Sequence, residues 1–188
     1  MKIEDQIKQV FVKTWKFFSN DFVTLILGSL LAVLLMIFII TIPPMVFGIY
    51  YMCIQLTKGK EIKVSDIFKG FDYFFRSWGI FILGFLGILL GLILLIIPGI
   101  LLMILWQFVI VIAIAENKGV IASLGRSYDL GKKNFAFSIV FFLIIIVIDS
   151  IGGWTRIGSL ITIPFGILAT CVAVQMLSKG KKSSKMQS

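Results

Sequence analysis

Histidine is absent from this chain. That removes imidazole as a general base and as a metal ligand. Cysteine is nearly absent: Cys53 and Cys171 both lie in apolar segments. Two such residues are too few for a disulfide or thiolate–metal framework and read as small apolar packing groups. Acidic residues are scarce, nine against eighteen Lys and Arg, giving a net charge of +9. Charge of either sign is rare, at 14% of residues, while 59% are hydrophobic. A soluble domain carries about 25% charged and about 45–50% apolar residues. This chain has too little polar surface to cover itself in water and reads as an integral membrane protein.

Catalytic signatures are missing too. There is no phosphate-binding glycine loop with its lysine, no paired-histidine zinc motif and no imidazole for a Ser or Cys triad. The sequence therefore predicts a non-enzymatic protein with no metal and no cofactor. Positive charge alone would suggest nucleic acid, but its placement along the chain, given below, points to a membrane and away from nucleic acid. The mixed-charge N-terminal segment has no small-residue cleavage site before the first apolar run, so it does not read as a cleaved signal peptide.

What the chain does have is long uncharged runs. Trp78 to Ala115 is 38 residues without a charge. One helix of that length would measure about 57 Å, against an apolar slab about 30 Å thick. Two helices fit, with a break at Pro98-Gly99, where proline removes a donor and glycine permits a reversal. Pro43-Pro44 divides Phe22–Met52 in the same way. The prediction is six spans: Phe22–Ile42, Pro44–Leu56, Trp78–Ile97, Gly99–Ala115, Phe135–Ser150 and Ile157–Leu177. Of the 18 basic residues, 17 then fall on one face and only Arg156 on the other. The positive-inside rule makes that face, with both termini, cytoplasmic.

A charged amphipathic segment precedes each pair of spans. Ile3, Ile7, Phe11, Trp15 and Phe18 share one face of the first. Ile67, Phe68, Phe71 and Phe75 do so in the second, and Val120, Ile121, Leu124 and Tyr128 in the third. Such segments are expected to lie in the membrane interface. Phe11, Phe68 and Leu124 are 57 and 56 residues apart. The predicted architecture is all-α and polytopic: three helical hairpins, each preceded by an interfacial helix, in a quasi-threefold repeat. Its single membrane domain covers 1–178, in units of about 3–58, 65–118 and 119–178. A basic, disordered cytoplasmic tail over 179–188 follows.

Candidate functional residues fall into classes. Lys13, Trp15, Lys69, Arg76, Arg126, Lys132 and Lys133 are placed to meet anionic headgroups or a partner. Gln107, Glu116 and Asp149 are polar groups within or at the ends of spans, where such groups are costly. Each also has a structural reading: Gln107 bonding a neighbouring helix, Asp149 pairing with Arg156, Glu116 pairing with Arg126 or Lys118. Small residues suit close helix packing, so Gly84, Gly87, Gly91, Gly158, Thr162 and Gly166 are expected at helix contacts.

The stretches "DIFKGF" (66–71), "IIPGILLMILWQF" (96–108) and "AENKGVIASLGRSYDLGKKN" (115–134) carry a resemblance. They are similar to the membrane domain found ahead of some bacterial glycerophosphodiester phosphodiesterases and to related six-span prokaryotic membrane proteins. Pro98, Gly99, Trp106, Glu116, Arg126 and Ser127 are the matching positions. The catalytic domain of those enzymes has no counterpart here, so the resemblance implies architecture and an association with lipid or envelope biology, not activity. The expectation is a scaffold, lipid-handling or partner-binding module of a prokaryotic cytoplasmic membrane. Its partners would be membrane lipids, another protein or a second copy. A small transporter or channel, with a pathway between the hairpins lined by Gln107 and Asp149, is the alternative.

Overall fold

The computed structural model describes residues 2–154 and 158–185, with side chains through Ser178. The elements are α1 (Ile3–Leu35), α2 (Ile42–Thr57), α3 (Phe74–Leu94), α4 (Ile96–Trp106), α5 (Val109–Ala115), α6 (Val120–Lys133), α7 (Phe135–Gly153) and α8 (Ser159–Lys185). Tight 3-10 helix covers Ile39–Thr41 and Val64–Tyr73. Among the described residues, six stretches are long and apolar enough to cross a membrane: Ile3–Leu35, Ile39–Thr57, Val64–Leu94, Ile96–Ala115, Phe135–Gly153 and Ser159–Ser178. The protein is an all-α, multi-pass membrane protein.

The first amphipathic segment and the first span are two helical pieces joined at a kink at Asp21 (φ −130°, ψ 27°), counted together as α1. Ser19, Asn20 and Asp21 are capping residue types, and the kink falls at the end of that run. Two local expectations need correction. The first concerns the turns. The first reversal occupies Met36–Thr41, where the Thr41 hydroxyl donates to the carbonyls of Leu35 and Phe38. The second rests on Leu95 alone, in extended conformation (φ −161°, ψ 134°). Pro43 and Pro44 open α2, and Pro98 and Gly99 sit in the first turn of α4. A proline in a first turn lacks an N–H that would have had no intrahelical partner, so these residues begin return helices instead of turning the chain. Second, the tail from 179 continues α8 as far as Lys185.

A one-residue reversal forces α3 and α4 together. A Cβ on Gly91 would sit 2.9 Å from the Gly99 Cα, and one on Gly99 would strike the Leu92 side chain. Glycine at both positions lets the backbones touch.

Each amphipathic segment packs on the return helix of a hairpin. The N-terminal half of α1 packs on α8, with the rings of Phe11, Trp15 and Phe18 gathered 5.5–6.4 Å from Phe165. Residues 64–73 pack on α2, where Gly48 meets the Ile67 carbonyl and Gly70 meets that of Pro44. Helix α6 packs on α4: the Ser127 hydroxyl donates to the Leu105 carbonyl at 2.8 Å, and Gly131 lies against Leu105. Val10, Ile67 and Ser123 are fully buried, as are Thr14 and Ser127. The segments are thus docked through one face, not laid loosely on a surface.

The core centres on α2, α5 and the middle of α8. Met45, Phe47, Cys53, Ile112, Ala113, Leu168, Ala169 and Ala173 have no exposed surface. Outer faces are bare and apolar, most of all at the second hairpin tip, where Ile93 to Ile97 are each at least 68% exposed. One bond fixes the relative level of two hairpins. The Trp78 indole N–H, near the start of α3, donates to the Ile40 carbonyl at the tip of the first hairpin (3.2 Å).

Candidate functional site

Three helices meet at a cavity of about 340 Å³ lined by Lys13, Lys16, Phe17, Thr57, Val172, Gln175 and Met176. Lys13 and Lys16 are three residues apart on α1, a spacing that puts both side chains on one face. Thr57 is the last residue of α2, and Val172, Gln175 and Met176 share one face of α8. The Gln175 amide donates to the Thr57 hydroxyl (2.6 Å), which donates to the Ile54 carbonyl (2.8 Å). This chain of bonds ties the end of α2 to α8 and fixes one wall. No lining residue is acidic, and neither lysine forms an ion pair among the described residues. Two like charges on one wall repel, and an anion between them would relieve that.

A second polar cluster sits where α5 turns into α6. Arg76 donates to the Ala113 carbonyl (3.1 Å) and to Asn117 Oδ1 (2.9 Å), and its guanidinium lies 5.4 Å from the centre of the Tyr73 ring. Asn117 takes a left-handed backbone (φ 49°), which Asn tolerates better than most residues. Glu116 bonds Arg126 (3.4 Å) and Lys118 (3.6 Å). The cluster satisfies itself, and its chemistry is that of a clamp holding α3, α5 and α6 at one corner.

The other sequence candidates are dispersed. Lys69 pairs with Asp72 at 3.9 Å across a well-exposed surface, and such pairs contribute little. Lys132 lies over the Tyr128 ring at 5.8 Å, and Lys133 is exposed. Trp15 is 64% exposed despite its edge contact with Phe165. Gln107 donates to the carbonyls of Ile104 (2.8 Å) and Ser138 (3.0 Å). It bridges the break between α4 and α5 to α7, so its amide is used within the fold. Asp149 is exposed and faces Gly166 across the third hairpin. Its suggested partner Arg156 lies outside the described residues.

Among the packing glycines, Gly87 lies against the Trp106 ring and Gly91 against Gly99. Gly84 has open space where a Cβ would be, so its expected role at a helix contact is corrected: α3 turns that face outward. The Gly158 carbonyl instead accepts from Ile161 and Thr162 at the start of α8. Thr162 packs on Gly152, and Gly166 lies beside Asp149 and Ile145. Sequence reasoning missed the tightest contacts, at Gly48, Gly70 and Gly152. It also missed Lys16 and Thr57 as site residues, although the Lys13–Lys16 spacing was a usable signal.

An apolar groove of about 530 Å³ runs between the first hairpin tip and the start of α3, lined by Ile39, Ile40, Phe74, Phe75, Trp78 and Ile82. Comparison of the chain with protein-family models, curated proteins and solved structures finds no match.

Proposed function

We propose that this protein is a non-enzymatic, lipid-handling module of a cytoplasmic membrane, which engages anionic headgroups through its basic segments. The observation that carries this reading is the segregation of surface. The outer faces of the hairpins are bare hydrocarbon, and 17 of 18 basic residues stand in the segments that flank them. A basic margin around an apolar body suits a leaflet rich in anionic lipid, where each exposed cation contributes about 1 kcal/mol. Burial of Val10, Ile67 and Ser123, at intervals of 57 and 56 residues, supports reading the chain as three related units arranged around that margin. The transport alternative asks Gln107 to line a pathway, and its two carbonyl partners speak against that use.

The test is lipid preference. The full chain is reconstituted in nanodiscs of neutral lipid with a graded fraction of phosphatidylglycerol, and the lipid in contact with it is measured. Enrichment of the anionic lipid, falling roughly fivefold for each exposed collar lysine neutralised among Lys58, Lys60 and Lys133, is the expected result. Equal occupancy by neutral and anionic lipid would refute the reading.

A further inference from the structure

We infer that the cavity between α1, α2 and α8 is a binding site for one phosphoryl headgroup, supplied by an anionic phospholipid. The inference rests on the lipid-handling reading and assigns it a place. Four features of the cavity carry it.

First, the charge is unbalanced. Lys13 and Lys16 enter one cavity with no acidic residue lining it. Elsewhere, the cations nearest to acids use them: Lys69 has Asp72, and Arg126 and Lys118 share Glu116. Second, donors remain. The Thr57 hydroxyl is spent on Ile54, and one Gln175 N–H is spent on Thr57. The two ammonium groups and the second Gln175 N–H remain to meet a ligand. A phosphodiester, which offers only acceptors, suits a lining with two ammonium groups and no carboxylate.

Third, the rest of the lining is apolar. Phe17, Val172 and Met176 complete the cavity. A freely soluble anion gains nothing from that side, whereas a lipid places its glycerol and first methylenes there. Fourth, the position is right. Thr57 ends α2 and the basic residues Lys58 and Lys60 follow it at once. The cavity thus sits where an apolar span meets the charged margin, the level at which a phosphate resides. Basic pockets between spans on such a face are where lipid headgroups are held.

The experiment uses the full chain in phosphatidylcholine nanodiscs, titrated with phosphatidylglycerol and read by native mass spectrometry. A parallel arm offers soluble glycerol phosphate with no anionic lipid present. Wild type is expected to hold one phosphatidylglycerol that persists when bulk anionic lipid is diluted. Lys13→Gln with Lys16→Gln should weaken that single site at least tenfold, and Lys13→Arg with Lys16→Arg should keep it. Lys58→Gln with Lys60→Gln should lower the general anionic preference and leave the tight site occupied. Both lysine pairs lie at exposed positions, so an unchanged unfolding temperature serves as the control for folding.

Retention of the tight lipid by the Gln pair overturns the assignment of the site while leaving general lipid handling standing. Tight binding of glycerol phosphate that phosphatidylglycerol does not displace overturns the lipid as source. Absence of any anionic preference in wild type overturns both this inference and the reading beneath it.

Discussion

Helices α2 and α3 are both apolar and are employed in opposite ways. In the span Ile39–Thr57, 56% of the most apolar window is buried within the protein, against 17% in Val64–Leu94. Helix α2 is packed by α1, α3, α5, α8 and residues 64–73. Helix α3 lies mainly on α4, and its outer face of Phe81, Ile82, Phe85, Leu86 and Leu90 is bare. Hydrophobicity alone does not separate a helix that forms the core from one that faces lipid. The position of glycine does. In the first hairpin Gly48 admits the backbone of another segment, and in the second Gly91 and Gly99 each admit the partner helix of their own hairpin.

Substitutions at these glycines would break or sharpen the contrast. The largest effect is expected for Gly70→Leu. Its new side chain would drive into the Pro44 carbonyl and the Gly48 backbone, none of which can rotate away. Destabilisation by about 4 kcal/mol or more, seen as loss of folded protein in detergent, is the outcome. Gly91→Leu comes next. It forces the hairpin tip apart, but the exposed end can splay, so about 1–3 kcal/mol is expected in a thermal unfolding assay.

Ser127→Ala removes the α6–α4 hydrogen bond without adding bulk. It should cost about 1 kcal/mol, measured in the same assay. Gly84→Ala should be the mildest. It meets open space, and replacing a helical glycine whose conformation suits alanine stabilises by about 0.4–1 kcal/mol. A destabilising Gly84→Ala would show that this face of α3 is covered by something other than lipid and would narrow the difference between the hairpins.

Composition alone made the membrane class legible, and length against bilayer thickness gave the helix pairs. The pairing at Leu95 lay three residues from the expected break, because a proline suits a helix start as well as a helix stop. The first span was expected to begin at Phe22, and the helix kinks one residue before it, at Asp21. The capping types at 19–21 mark that change of direction, and the chain passes it without a loop. The docking of the amphipathic segments was half visible: their apolar faces were evident, but a bilayer and another helix are equally good apolar partners to a sequence. For the same reason Lys13 stood out as a cation, but nothing in the linear order brought Thr57 and Gln175 to its side. Those contacts span 118 residues for Gln175 and Thr57, and no periodicity encodes them.

The bond between Trp78 and Ile40 has a consequence for the outline of the molecule. From Trp78 the chain climbs 17 residues of α3 to reach Leu95, about 25 Å at ~1.5 Å per residue. The two hairpin tips are therefore separated by nearly the thickness of a bilayer's apolar slab. With α3 crossing the slab, the tips lie at different depths, and the apolar belt is a ramp and not a drum of constant height. Lipids along its rim meet a low wall at one side and a tall one at the other.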